Sequence, residues 1–201
     1  GSLREDLPAP RSVKIELSGR CNFRCAFCAL ALRDEQPWED MDFSLFKRIT
    51  CEMRDAGVEE IGLFYIGESF MNSELLVKAI AFLKSEVGMP YVFLTSNASL
   101  ARPDIVRRCM GAGLDSLKWS INAVDEEQFA RVMNVSPRMF SRALENIRRA
   151  WEVRRDGGYG TRLYASSIKY DGEQHERMKA MLAERVLSWV DQHYWLPLYS
   201  M

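Results

Sequence analysis

No apolar run in this 201-residue chain approaches the ~20 residues needed to cross a bilayer, so no membrane segment is read from it. Charge is nearly balanced, 27 basic against 28 acidic residues, which leaves no sign of a broad nucleic-acid-binding surface. There is no low-complexity tract, no internal linker and no sequence repeat. Gly157-Gly158-Tyr159-Gly160 lacks the Lys-Ser/Thr pair of a phosphate loop and reads as a turn. Histidine is scarce: His175 and His193 are read as structural or solvated. Cysteine is not scarce, but five is an odd number and three are clustered, which excludes a disulfide framework and points to a reducing cytoplasm. What remains, 47% hydrophobic and 27% charged residues, is the balance of one globular domain with a sizeable core. Gly1-Ser2 reads as a cloning remnant and residues 1–11 as an extension, with the domain over 12–201.

Hydrophobic period switches repeatedly between two and 3.6 along the chain. Strands are expected over Ser12–Leu17, Glu59–Ile66, Tyr91–Thr95, Ser116–Ile121, Thr161–Tyr170 and His193–Leu198. Helices are expected from Asp42 to Ala56, Ser73 to Glu86, Pro103 to Met110, Asp125 to Met133, Ser141 to Val153 and Glu173 to Val190. Such alternation argues parallel β/α units with right-handed crossovers. Six units fall short of the eight that close a barrel. Ligands in parallel α/β folds bind at the C-terminal ends of strands, so the strand ends supply the site candidates.

The densest chemistry follows the first strand, in Cys21-Asn22-Phe23-Arg24-Cys25-Ala26-Phe27-Cys28. Three thiols spaced CxxxCxxC suit a soft metal centre. A closed structural zinc site needs four ligands, and no fourth lies nearby, so three thiols point to a cluster with one iron left open. Cys51 and Cys109 fall on expected helices and read as buried thiols that pack like small hydrophobes.

CNFRCAFC resembles the signature of the radical S-adenosylmethionine enzymes, including the aromatic Phe27 before the third cysteine. The resemblance implies a partial (β/α)6 TIM-like barrel of parallel strands. It also implies a [4Fe–4S] cluster held by Cys21, Cys25 and Cys28, whose fourth iron chelates the amino and carboxylate groups of S-adenosylmethionine. Reductive cleavage of that cofactor would give a 5′-deoxyadenosyl radical that takes hydrogen from a substrate. The family's Gly-Gly-Glu strand ending is represented by Ile66-Gly67-Glu68, with the first glycine replaced. Gly67 and Glu68 would hold the methionine amino group. Thr95-Ser96-Asn97 is similar to the Thr-Asn-Gly ending, with Ala98 in place of glycine. Ser120-Ile121-Asn122 is similar to the ending that contacts the methionine carboxylate or ribose. Phe27 would lie beside the adenine, where stacking supports it. Each has a plainer reading: a solvated loop carboxylate for Glu68, turn-forming residues at Ser96, Asn97, Ser120 and Asn122, and core packing for Phe27. Ser166, Ser167 and Lys169 on the fifth strand are left unassigned.

The pattern from Cys21 through Glu68 to Asn97 is similar to that of members carrying a C-terminal SPASM or twitch extension. Those members act on peptides, sugars or other small metabolites. The implied partners are therefore a peptide or small-molecule substrate and an electron donor such as flavodoxin or ferredoxin, with neither membrane nor nucleic acid. The run Trp195-Leu196-Pro197-Leu198-Tyr199-Ser200 would leave an uncovered edge strand, so further residues after Met201 are expected. Two competing readings use other classes. One is a non-catalytic zinc- or cluster-binding module employing the three thiols structurally; the other is a degenerate barrel serving as an interaction domain.

Overall fold

The structure is a computed structural model that describes residues 8–197. The remnant Gly1-Ser2, most of the N-terminal extension and the last residues of the expected edge run, Leu198-Tyr199-Ser200, lie outside the described residues. Six parallel strands form one sheet in sequential order. They are β1 (Ser12–Lys14), β2 (Glu60–Gly62), β3 (Tyr91–Ser96), β4 (Ser116–Ser120), β5 (Arg162–Ile168) and β6 (Gln192–Leu196). Among the described residues β1 does not pair with β6, so the sheet is an open, partial (β/α)6 barrel as the resemblance implied. The crossovers are helices α1 (Phe43–Asp55), α2 (Ser73–Ser85), α3 (Pro103–Gly111), α4 (Glu126–Met133), α5 (Arg138–Gly157) and α6 (Gly172–Arg185). None is long and apolar enough to cross a membrane.

Local chemistry explains most helix boundaries. Asp42 caps α1 by accepting from Leu45 N at 2.8 Å, and Asp125 caps α4 by accepting from Gln128 N at 2.8 Å. Pro103 occupies the first turn of α3, where its missing N–H is not needed. Gly158 ends α5 at φ +63°, so the glycine-rich segment is a helix stop rather than a ligand loop.

One face of the sheet packs on the helices through fully buried Ile61, Val92, Leu94, Leu117, Trp119 and Leu163, against Leu76, Ile80 and Ile147. The alternate residues, among them Lys14, Phe64, Phe93, Lys118 and Tyr164, face the barrel lumen. Lumen packing is dense at Gly62: a Cβ there would meet the rings of Phe64 and Phe93 at 2.9 Å.

Several elements differ from their expected extent. β1 and β2 are three residues each, although Ile15 N still donates to Gly62 O and Leu63 N to Phe93 O, both at 2.8 Å. Beyond Leu63 the backbone of β2 turns away to serve a glutamate side chain, as described below. The long last helix breaks at Val186 into a 3-10 turn over Leu187–Trp189. Cys109 is buried as expected, whereas Cys51 is exposed, because it falls on the outer face of α1 while Phe46 and Thr50 face inward. Arg148, Arg149, Arg154 and Arg155 do not form a free basic patch. Their partners are Glu145, Glu152, Asp191 and Asp156.

Candidate cofactor site

The cysteine loop is held from three sides. Arg24 N donates to Met133 O at 3.1 Å and Ala26 N to Val132 O at 2.8 Å. These carbonyls end α4, where helix oxygens lack intrahelical partners, so the loop and the helix end satisfy each other. Asn134 closes that helix in the left-handed region at φ +53°. On a second side, Asn22 donates to Ser99 Oγ at 2.9 Å and accepts from Asn97 Nδ2 at 3.1 Å, tying the loop to the end of β3. On the third, the Gln36 amide grips the Cys21 peptide at both ends: Cys21 N donates to its Oε1 at 2.7 Å, and its Nε2 donates to Cys21 O at 3.0 Å.

The end of β2 is built around two glutamates. Glu16 Oε1 accepts from Ile66 N at 2.7 Å and Gly67 N at 2.5 Å, which draws this backbone out of the ladder. Gly67 then passes so close to the segment after β1 that a Cβ would sit 2.2 Å from Ser18 O and 2.8 Å from Arg20 O. Only glycine fits, so the glycine of the motif has a steric reason apart from any ligand. The next residue, Glu68, is only 3% exposed. Its carboxylate accepts from Ser96 Oγ at 2.7 Å, Asn97 N at 2.8 Å and Phe70 N at 3.1 Å. Burial pushes its carboxyl above the usual range, against the pull of these three donors.

Cys21, Cys25, Gly67, Glu68, Ser96, Asn97 and Ser120 thus border one cleft of about 150 Å³, with Phe23, Phe64, Tyr65 and Thr95 completing its wall. The hydroxyl of Thr95 is buried there with no hydrogen-bond partner among the described residues. Cys28 is half-buried further along the loop, and its N donates to Cys25 O at 2.9 Å. Besides Cys28, two of the expected residues do not border the cleft. Phe27 is half-buried against the edge of the core. Asn122 is committed to a clasp between β4 and β5, accepting from Ile168 N at 2.9 Å through its side chain and from Tyr170 Oη at 2.8 Å through its carbonyl. His193 bonds Ser167 Oγ at 3.0 Å and, like His175, lies against Trp195, so both histidines are structural.

Sequence reasoning missed Glu16, Gln36 and Thr95. Glu16 had a usable signal: it is the last charged residue on the lumen-side alternation of the first strand.

A sequence profile described as the Radical SAM superfamily matches residues 15–182, most of the chain. The chain belongs to this superfamily. It is 31% identical over 123 residues to a GTP 3′,8-cyclase of Synechococcus sp. (strain CC9902), covering 60% of this chain and 34% of that protein. It is 30% identical over 121 residues to the S-adenosylmethionine-dependent nucleotide dehydratase RSAD2 of Siniperca chuatsi, covering 58% of this chain and 32% of that protein. The chain therefore spans about a third of the length of these relatives. Among solved structures, Streptococcus suis SuiB bound to S-adenosylmethionine superimposes with a TM-score of 0.68 over 96% of this chain and 40% of its own, at 19% identity. That likeness concerns the fold alone.

Radical SAM enzymes work with a [4Fe–4S] cluster and S-adenosylmethionine, and the residues here fit both. Burial and the neighbouring thiols push Cys21 up to about 11 and Cys25 up to about 12. Thiols raised this far stay protonated unless a cation takes the place of the proton, so ionising them together calls for a metal partner. Yet among the described residues no three ligands converge tightly enough for a single metal ion. Thiolates around one zinc lie about 3.8 Å apart, from a Zn–S bond of ~2.3 Å in a tetrahedron. A cube of four irons instead takes one thiolate at each of three separate corners. The donor set suits the larger group. The unpartnered Thr95 hydroxyl and the buried Glu68 carboxylate in turn suit a polar, cationic ligand beside it.

Proposed function

We propose that this chain is the catalytic core of a radical S-adenosylmethionine enzyme acting by hydrogen abstraction on a peptide or small-metabolite substrate. The observation that carries the reading is the meeting of the thiol loop and the buried Glu68 at one cleft on the C-terminal rim of the sheet. Bound there, the cluster and cofactor supply one-electron cleavage of a sulfonium and abstraction of substrate hydrogen.

The protein's part is to hold and to shield. Cys21, Cys25 and Cys28 would ligate three irons. Glu68 would accept from the amino group of S-adenosylmethionine, its orientation already fixed by Ser96, Asn97 and Phe70. Gly67 lets that strand end approach the backbone of Ser18–Arg20. Ser120 and the Thr95 hydroxyl offer hydrogen bonds at the cleft wall, and Phe27 an aromatic face at the loop. Phe23 is buried edge-on to Phe129, 5.5 Å between centroids, and stiffens the loop between the first two cysteines. The electron would come from a flavodoxin- or ferredoxin-type donor.

Anaerobic reconstitution with iron and sulfide tests the proposal. The expected product is a brown protein that forms 5′-deoxyadenosine from S-adenosylmethionine when dithionite is added. A colourless protein that retains one zinc per chain would overturn it in favour of a structural module.

A further inference from the structure

The lumen face beneath the cleft carries cations without partners. Lys14 on β1 and Lys118 on β4 both direct their ammonium groups over the ring of Phe64, at 5.3 and 6.0 Å from its centroid. Phe64 itself borders the cofactor cleft, so its ring stands between the cleft and the two lysines. Among the described residues neither forms an ion pair or a side-chain hydrogen bond. The carboxylates on the same strand alternation are already engaged: Glu16 with Ile66 N and Gly67 N, Glu60 with Arg11. Arg162 of β5 shares the lumen-facing register and adds a third positive charge. On α5, by contrast, Arg148 and Arg149 are paired with Glu145. Lys47 and Lys78 share the Phe43 ring in the same way on α1 and α2, but Phe43 does not border the cleft, whereas Phe64 does. Burial, and then the Lys14 charge, hold the Lys118 ammonium below the ordinary lysine range. The Phe64 face offsets part of that cost, but among the described residues no carboxylate pairs with that ammonium.

The geometry points to an oxyanion-binding subsite formed by Lys14 and Lys118, which anchors an anionic group of the substrate and leaves its reacting carbon toward the cleft. This rests on the proposed function, since it supplies the substrate class for the same site. Thr95 is opposite Lys118 in the β3–β4 register and borders the same cleft as Glu68, and among the described residues its buried hydroxyl has no partner. A phosphate ester and a carboxylate share this chemistry. Two ammonium groups balance a phosphate dianion and exceed a single carboxylate.

Equilibrium dialysis of radiolabelled inorganic phosphate and of acetate against the cluster-loaded protein, at fixed ionic strength, tests the assignment. Wild type should bind one anion per chain. Lys118→Met should weaken that binding at least tenfold, Lys14→Met should weaken it similarly, and Lys118→Arg should retain it within a few-fold. Tighter phosphate than acetate would identify a phosphorylated substrate; equal or tighter acetate would identify a carboxylate. Saturable uptake that persists in the Lys14→Met/Lys118→Met double variant would overturn the subsite, as would no saturable uptake by wild type. S-adenosylmethionine binding is measured on the same samples. Intact cofactor binding without anion uptake sinks only this inference, whereas loss of cofactor binding by wild type sinks the functional reading beneath it.

Discussion

Replacing Glu68 by glutamine separates the two tasks this side chain carries. Its Oε1 accepts from Ser96 Oγ and Phe70 N, and its Oε2 from Asn97 N. A glutamine can keep both bonds to the first oxygen by turning its NH2 toward Asn97, which leaves that one N–H unpaired. The loss is about 1–3 kcal/mol for a buried unsatisfied donor. Removing a charge from a fully enclosed position offsets part of it, so the net fall in folding stability should stay below about 2 kcal/mol. Cofactor binding has no such compensation. A charge-assisted hydrogen bond to the amino group is worth about 1.5–3 kcal/mol, so affinity should fall roughly ten- to 150-fold. Anaerobic calorimetry on cluster-loaded Glu68→Gln, with iron analysis on the same sample, measures this. Unchanged affinity at unchanged iron content would remove Glu68 from the cofactor site. The same variant has a pH signature. The native carboxyl titrates above the ordinary 4.5, so the folded state retains a proton that the unfolded chain releases. Stability of the cofactor-free protein is then greatest below that value and declines as pH rises through the raised one. Glu68→Gln should flatten this decline in denaturant titrations.

Gly67→Ala should lower stability by more than ~2 kcal/mol, because the added Cβ meets backbone oxygens of Ser18 and Arg20 that no rotamer change can avoid; thermal unfolding checks it, and a wild-type midpoint would refute the close approach. Gln36→Ala removes two hydrogen bonds to the Cys21 peptide, about 1–3 kcal/mol of loop positioning. It should release iron to a chelator several-fold faster with little change in unfolding midpoint. Alanine at Cys21, Cys25 or Cys28 should abolish 5′-deoxyadenosine formation, while Cys51→Ala, at an exposed helix position, should leave iron content and turnover intact.

The fold was legible because each β/α unit carries its own local signals. Asp42, Asp125 and Pro103 mark helix starts through chemistry that acts within four residues, and the structure uses all three. Cys21, Cys25 and Glu68 were readable for another reason: a loop fixed in sequence spacing, and a strand end fixed by topology, need no long-range information. Long-range pairing is what stayed hidden. Gln36 lies in a stretch without periodicity, and its bond to Cys21 spans 15 residues. The extent of β1 and β2 was over-read because Val13, Ile15 and Leu17 continue the alternation past the point where backbone pairing stops. Alternation reports burial, whereas the ladder ends where Glu16 takes the N–H groups of Ile66 and Gly67. Cys51 was misjudged by residue type; its place on the outer face of α1 decides its exposure.

An open sheet has no ring of hydrogen bonds to fix the relative positions of its first three strand ends, yet the candidate site needs them fixed. The side chains supply that rigidity in sequence. Glu16 after β1 binds the backbone that follows β2, Glu68 after β2 binds the end of β3, and Asn97 after β3 binds Asn22 of the cysteine loop. Ser69 adds a cross-tie, donating to Leu63 O at 3.0 Å and Thr95 O at 2.8 Å. The chain of contacts thus closes on itself through the thiol loop, and each link satisfies a backbone or amide group that would otherwise be unpaired. A carboxylate held by three donors before its ligand arrives loses little freedom on binding, which is the condition under which one charged contact contributes its full strength. The departures from the family pattern fit this scheme. The glycine that is kept, Gly67, is the one whose Cβ would meet the backbone of Ser18 and Arg20. Ala98 replaces another at φ +66°, a strained conformation for alanine, and the Ser96 hydroxyl steadies it by accepting from Ala98 N at 2.9 Å.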